Sequence, residues 1–442
     1  MSGAAAATEP TPLSRTARSG LLALMLVGLA LRIGWIVLQR ADRGMAGEAR
    51  RVAVSLATNG TFADAFYDGQ GPTAHLTPTS PAIAGGVFAL FGVGSPVSNA
   101  ILATWSLLQV FSSFLLLLLL FRRLGTPVLG LFLALAALCF LPIYIGNEVT
   151  IFRYWDAALA VNLSLATLLV LLRLDGRGDP GWRWMAVAGL LAALTMFITP
   201  TLGIGIYAAA AVYLWRNLTW PRMALAALIA AAALALLVTP WALRNQRVMG
   251  APVLLRDNAG MQLAVANYPE GVHPADPGAA YEKRVREVSP FFNPGLRHAM
   301  EAAGGEVAYN RQLSRDTKQW IHEHPREFAH ITLRHFTEFY WPRTWQFRHT
   351  GSGALARERA IFVSLASLFA FVGLALGLWA RRPGYLYLAP VVLLPGLTYA
   401  VFQPLPRYTY LIYGLLIFLA ADCVSRWLIV DGRLRWSAAG RN

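Results

Sequence analysis

Five short stretches of the chain hold the side chains able to do chemistry. Glu48 sits in GEARRVAVSLAT (47–58) and His75 in DGQGPTAHLTPTS (68–80). GNEVTIFRYWDAA (146–158) carries Glu148 and Asp156, with Arg153 between them. TPWALRNQRVMG (239–250) ends an apolar run on Pro240 and Trp241, then places Arg244, Asn245 and Arg247. FQPLPRYTYLIY (402–413) carries Arg407. A carboxylate at a membrane cleft can take a proton from an acceptor hydroxyl as a general base, which is one reading of Glu48. The other is a first-turn carboxylate favoured by the helix dipole. Glu148 and Asp156 lie eight residues apart. That is about two helical turns, so one helix face can present both to a substrate or a divalent cation. Equally, Asp156 can cap the next helix while Glu148 pairs with Arg153. Guanidinium pairs with phosphate in bidentate fashion, so Arg244, Arg407 and Arg153 suit a phosphate-bearing ligand. Lipid headgroups, Asp257 or interfacial snorkelling are the plainer alternatives. His75, on a Gly/Pro/Thr-rich loop, either touches a substrate or is solvated.

Composition says where such residues must work. Hydrophobic residues make up 56% of the 442 and charged residues 14%, and mean hydropathy is +0.48. That points to an integral membrane protein. The net charge of +15 is carried mostly by cations flanking apolar runs, as the positive-inside rule expects. No basic, aromatic-interleaved soluble domain exists to bind nucleic acid. Cys139 and Cys423 both lie in apolar runs and read as small buried hydrophobes, with no disulfide framework or zinc spacing. No P-loop, dinucleotide-binding glycine pattern, HExxH or GxSxG is present.

About ten apolar stretches of near-spanning length follow, at 20–39, 97–121, 126–145, 157–173, 185–199, 202–216, 222–242, 359–380, 385–403 and 408–426. The stretch 185–216 also reads as a broken pair around Thr199-Pro200-Thr201. The expected class is therefore an all-α polytopic membrane protein with surface helices and one mixed extramembrane segment. Arg122-Arg123, Arg177, Arg183, Arg216, Arg222, Arg381-Arg382 and both tails fall on one side, the cytoplasmic one. The expected organisation is a cytoplasmic tail (1–19), a transmembrane catalytic module (20–242) with a periplasmic loop (40–96), a periplasmic region (243–358), closing transmembrane helices (359–426) and a cytoplasmic tail (427–442). The run 20–39 is too long for a signal-peptide core and reads as a retained helix. Segment 243–358 carries nearly half of the charged residues and is helical by pattern, with a break at His324-Pro325. Within 40–96, residues 47–58 and 81–93 suit surface or re-entrant helices. Arg244 and Arg247 then fall on the outer side, against the charge bias, and ask for an anion there.

These pieces, in this order, resemble the C-superfamily glycosyltransferases. The superfamily is polytopic, uses polyprenyl-phosphate sugars, and includes protein O-mannosyltransferases, lipid A aminoarabinose transferases and Rgt-type bacterial enzymes. GEARRVAVSLATNGTF looks like the first outer loop, and GPTAHLTPTSPAIAGGVFALFG like the proline-rich turn and second surface helix. The most specific match is TPWALRNQRVMGAPVLLRDNAGMQLAVANYPEG, through Pro240, Trp241, Arg244, Asn245, Asn258, Gly260, Leu263 and Asn267. The usual first-loop acid is Asp, and here Glu48 stands in its place; Ala266 replaces a Gly before Asn267. The resemblance implies a transferase of a bacterial inner membrane, active on the periplasmic face. It would move a sugar from a polyprenyl-phosphate donor to a hydroxyl of a glycan, lipid or protein acceptor, with inversion. Glu48 would be the base; Arg244, Arg407 and Arg153 would meet the phosphate, with Asn245 and His75 nearby. Glu148 or Asp156 would orient the acceptor or hold a divalent cation such as Mg or Mn. A lipid or solute transporter, hinted at by Arg32 and the Thr199-Pro200 break, and a non-catalytic envelope-assembly subunit are the other classes.

The assigned orientation is testable. A thiol introduced at residue 244 should react with a membrane-impermeant maleimide added outside the cell. Reaction only from the cytosol would overturn the orientation.

Overall fold

Proline and small polar residues mark where the helices begin. In this computed structural model, which describes residues 12–39, 47–178, 180–349, 353, 355–430 and 433–434, the first helix is α1 (Arg15–Leu38). Ser14 caps it by accepting from the Ala17 N–H. Helices α2 (Gly47–Asn59) and α3 (Thr79–Phe91) lie in the first loop. Asp42 of that loop lies outside the described residues. Helix α4 (Pro96–Arg123) has Ser95 accepting from the Ser98 N–H, with Pro96 in the first turn, where its missing donor is not needed. Then come α5 (Val128–Phe140), α6 (Ile145–Val149), α7 (Ala157–Leu174), α8 (Gly181–Ile198), α9 (Pro200–Asn217) and α10 (Trp220–Met249). The charged segment folds as α11 (Ala259–Ala266), α12 (Pro277–Val288), α13 (Gly295–Ala302), α14 (Glu306–Glu323), α15 (Pro325–Tyr340) and α16 (Thr344–His349). Helices α17 (Ala356–Trp379), α18 (Tyr385–Val401) and α19 (Pro406–Leu428) close the chain, with a two-residue hairpin of β1 (Ile429–Val430) and β2 (Arg433–Leu434) behind them.

The protein is a multi-pass helical membrane protein. Among the described residues, α1, α4, α7, α8, α10, α17 and α19 are long and apolar enough to cross a bilayer. All ten apolar stretches are largely helical, but α5 and α18 have only 13 and 17 residues, short of the roughly 20 that a perpendicular span needs, and α9, with 18 residues ending in Trp215-Arg216-Asn217, is not apolar enough to count as a span. The count of ten therefore becomes seven, or eight if α5 crosses together with the segment Ile145–Arg153. Helix α19 is the core of the bundle, buried along most of its length against α17, α5, α7 and α4. Helix α10 is the opposite case. Only Ala226, Trp241 and Asn245 of its 30 residues are buried, and Leu228 and Leu236 are 67% and 74% exposed. An apolar helix open on most of its circumference is one that faces lipid.

Two expected boundaries move. Helix α10 does not stop at Pro240; it runs to Met249, where Gly250 adopts φ 69° and ends it. Thirty residues at 1.5 Å each give about 45 Å, beyond a hydrocarbon core of about 30 Å, so one end projects. The expected domain boundary at 242 thus falls inside one helix. The third apolar stretch ends early, at Phe140, because Leu141 precedes Pro142 and takes an extended conformation (φ −84°, ψ 122°). The chain then turns by 70° into α6.

That turn leaves the last carbonyls of α5 without helical partners, and Arg32 of α1 supplies them. Its guanidinium donates to Leu138 O (2.9 Å), Cys139 O (3.1 Å) and Gly28 O (3.2 Å), and to Glu148 of α6 at 2.7 Å. Both side chains are almost wholly buried. Arg32, the hint of a transporter, is thus engaged in holding the bend, and Glu148 pairs with Arg32 rather than with Arg153. Breaking one side of such a pair costs about 3–5 kcal/mol, whereas removing both charges is far milder. Arg32→Met should therefore lower the thermal midpoint in detergent sharply, and adding Glu148→Gln should recover much of the loss. A double variant no better than the single one would contradict the pairing.

Candidate functional site

The site is assembled by the C-terminal end of α10. Trp241 donates its indole N–H to Leu255 O (2.9 Å), and Asn245 donates its amide to Val253 O (2.8 Å). Those two bonds fix residues 253–255 against the helix. Arg244 reaches the other way. Its guanidinium donates to Thr73 O (2.7 Å), Phe62 O (2.6 Å) and Asn245 Oδ1 (2.9 Å), and packs over the Phe62 and Trp241 rings. The Asp257 N–H donates to Ala74 O (3.1 Å), stitching the two segments together. Gly260 follows because α11 lies hard against α14: a Cβ there would sit 1.9 Å from the Asn310 carbonyl oxygen.

Between these elements lies a cavity of about 680 Å³. Glu48 from α2, His75 from the loop after it, Asp156 ahead of α7 and Arg407 from α19 all line it. Arg256, Asn258 and Gln262 come from the segment held by α10, and Tyr281, Glu282 and Arg286 from α12. Trp155, Phe292, Tyr399 and Tyr408 give it aromatic walls. Tyr399 and Tyr408 stack at 4.6 Å, and Arg407 lies 5.0 Å from the Tyr408 ring centroid. The Nε atoms of Arg256 and Arg407 are buried without a protein partner. Arg256 is held in place by its Nη2, which donates to Ile198 O (2.8 Å).

Burial in this wall pushes the Glu48 carboxyl above the ordinary glutamate range; its own backbone N–H and then the Arg407 charge pull it partly back. Burial likewise raises Asp156, opposed by Arg256 and by bonds from Thr77 Oγ1 (2.9 Å) and the Ser80 N–H (3.0 Å). Burial, with the Arg256 charge second, drives His75 down to about 3. His75 is therefore a neutral imidazole at physiological pH, edge-on to Phe66 with its Nδ1 unpartnered.

The structure thus brings together Glu48, His75, Asp156 and Arg407. It does not bring Arg244, Asn245, Glu148 or Arg153 into the cavity. Arg244 and Asn245 are engaged by backbone and each other, Glu148 is held by Arg32, and Arg153 is buried outside the cavity lining, whereas its neighbour Phe152 does line the wall. Asp156 opens α7 without bonding its first turn; its side chain reaches back to Thr77 and Ser80 instead. Glu148 and Asp156 therefore form no joint cation site. Among the described residues no group of three or more His, Cys, Asp or Glu is placed to hold a metal. Arg256, Arg286 and Tyr281 were not singled out from sequence. Arg256 had a signal, two residues before the Asn258-x-Gly260 match; the α12 residues had none beyond an amphipathic pattern.

No protein-family model and no curated protein matches the sequence. Solved structures do. The oligosaccharyltransferase AglB from Archaeoglobus fulgidus, in complex with an inhibitory peptide and a dolichol-phosphate, superposes with a TM-score of 0.53 at 15% identity, over 96% of this chain and 53% of that one. At this identity the likeness is one of fold: the chain shares the helical architecture of that oligosaccharyltransferase. A second structure of the Archaeoglobus fulgidus oligosaccharyltransferase, in complex with Zn and sulfate, gives 0.50 at 14% identity over 92% and 49%. ArnT from Cupriavidus metallidurans bound to undecaprenyl phosphate gives 0.40 at 14% identity over 91% and 77%. The chain spans about half the length of the oligosaccharyltransferase structures it matches.

In this fold, Arg244 acts as a brace. Hydrogen bonds to a charged donor are worth about 1.5–3 kcal/mol each, and a lysine ammonium cannot span two carbonyls as the guanidinium fork does. Arg244→Lys should therefore lower the thermal midpoint and raise amide exchange in residues 60–76. Unchanged exchange there would refute the brace.

Proposed function

We propose that the protein is a membrane glycosyltransferase that moves a sugar from a polyprenyl-phosphate donor to an acceptor hydroxyl at the periplasmic face. The observation that carries this reading is the convergence of the Glu48 carboxyl and two guanidiniums with unpartnered buried Nε atoms, Arg407 and Arg256, on one cavity of the fold. The oligosaccharyltransferase neighbour in complex with a dolichol-phosphate supports this donor class.

In this reading the Glu48 carboxylate accepts the acceptor's hydroxyl proton as the oxygen attacks the anomeric carbon. The carbon–oxygen bond to the phosphate breaks on the opposite face, and the electron pair leaves with the phosphate, so the configuration inverts. Arg407 and Arg256 take up the charge that grows on the leaving oxygen, and fixed charges in a water-poor site do this well. Phosphate is already an adequate leaving group, so no covalent intermediate is required. His75 donates or accepts a hydrogen bond as a neutral ring. Asp156, bonded to Thr77 and Ser80, holds the loop after α2 and keeps Arg256 oriented. Glu148 and Asp156 do not suit a shared divalent cation, and no step here runs through one.

General base catalysis is worth about 10²–10⁴-fold, so Glu48→Gln should cut turnover by at least about 100-fold. It should still copurify with carrier lipid, seen by mass spectrometry. Envelope glycans of a strain lacking the protein should lose one sugar that the wild type restores and Glu48→Gln does not. Full restoration by the variant would remove Glu48 from the chemistry. The pH dependence has a definite sign. Glu48 works ionised and its carboxyl is raised, so activity falls as pH drops through a value above the ordinary 4.5. Arg407→Gln removes a charge that favours ionisation and should move that acid limb to higher pH.

A further inference from the structure

Behind the cavity lies a pair of carboxyl groups that the proposed reaction does not use. Glu306 opens α14 and is buried. It accepts from Thr73 Oγ1 (2.7 Å), the Ala74 N–H (2.9 Å) and the Gln70 amide. Its carboxyl also touches that of Asp257. Both Asp257 carboxyl oxygens are buried, and no protein N–H or O–H reaches them. The donors of Gln70, Thr73 and Ala74 are aimed at Glu306. Two buried carboxylates in contact cannot both stay ionised, so the pair must keep a proton. The donors decide which group has it: Glu306 is the carboxylate and Asp257 the acid that donates to it.

The position of this pair gives it a consequence. The Asp257 N–H bonds to Ala74 O while Glu306 holds the Ala74 N–H, so both sides of residue 74 are gripped. One residue on from each grip stand His75 and Arg256, both in the cavity wall. We propose that Asp257 and Glu306 form a one-proton clasp that joins the His75 loop, the Arg256 segment and the start of α14. They are thus positioning residues for the cavity. The part of the test that uses a donor lipid rests on the glycosyltransferase reading; the part that uses stability does not.

The charged and titratable groups around the clasp are few. Arg244 of α10 and Tyr67 of the loop after α2 feel the Glu306 charge, and Glu301 of α13 accepts from the Tyr67 hydroxyl. Arg256 and His75 flank it on the cavity side. Burial first, and the Glu306 charge second, push Asp257 up to about 9. The folded state therefore keeps a proton that the unfolded chain loses near the ordinary 3.8. Stability then falls as pH rises across that window, by up to tenfold in the folding equilibrium per pH unit for the one proton, and levels off above about 9. Asp257→Asn supplies a permanent amide donor to Glu306 in place of the proton.

The experiment uses the full-length protein in detergent. Thermal midpoints are measured from pH 5 to pH 9.5, alongside binding of undecaprenyl phosphate followed by native mass spectrometry. The clasp predicts that Asp257→Asn has a shallower fall of midpoint with pH than wild type and melts higher at pH 8. It predicts that wild type loses lipid affinity above pH 9 and Asp257→Asn keeps it, while Asp257→Ala binds weakly throughout. Identical slopes for wild type and Asp257→Asn would overturn the shared proton. Parallel loss of lipid above pH 9 in both would overturn the positioning role. If neither binds the lipid at any pH while the slopes differ as expected, the clasp stands and the donor reading is the one that fails.

Discussion

Two backbone carbonyls, of Phe62 and Thr73, determine where the first loop of this protein sits, because Arg244 reaches both from the C-terminal end of α10. A loop of this length with several glycines and prolines has many conformations, and ordering it costs about 1–2 kcal/mol per residue in backbone entropy alone. A guanidinium supported by two aromatic rings and an asparagine offsets part of that at the point where it matters. From the same turns of α10, Trp241 and Asn245 hold the chain on the far side through Leu255 and Val253. One helix end therefore positions both halves of the cavity wall, and the cavity's cation Arg256 is delivered by residues that never face the cavity.

The same economy appears inside the bundle. Proline at 142 breaks a helix whose carbonyls then need donors where water is scarce. Arg32 meets that need, and Glu148 balances the charge it brings. The result is a buried ion pair that looks functional from its location and is architectural from its partners. Buried charges of this kind lower freedom of arrangement more than they add stability. They hold the α5–α6 turn at one angle, and Phe152 and Trp155 on the chain just beyond reach the cavity wall.

The cavity collects titratable groups in a poorly hydrated place, and their perturbations follow one rule. Burial raises the carboxyls of Glu48, Asp156, Asp257 and Glu306 and lowers His75; neighbouring guanidiniums partly reverse the shifts of Glu48 and Asp156 and add to that of His75, whereas only hydrogen bonds oppose those of Asp257 and Glu306. A carboxyl poised in this way is a better proton acceptor than an exposed one, provided a cation keeps it ionised. Glu48 has that cation in Arg407, whereas Asp257 faces a second carboxyl. The two acids consequently suit opposite roles, one as an acceptor of protons and the other as a keeper of one.

Much of this was legible in the amino-acid order alone. Apolar runs, prolines at 200, 325 and 406 and the capping serines act within a few residues, so the helices and most of their ends could be read directly. The motif around Pro240 was legible as a special place, although α10 runs on past it to Met249. What the order of residues could not decide was which charges meet. Glu148 is 116 residues from Arg32, and Glu306 is 233 from Thr73. Local pattern assigns Glu148 to nearby Arg153 and Arg244 to a ligand, since both residue types are equally suited to either fate. Local sequence thus determined the helices, because helix formation is a short-range affair of backbone bonds and turn chemistry. Only the tertiary structure decided which acids and cations share a cavity, because desolvation and pairing depend on neighbours brought in from elsewhere in the chain.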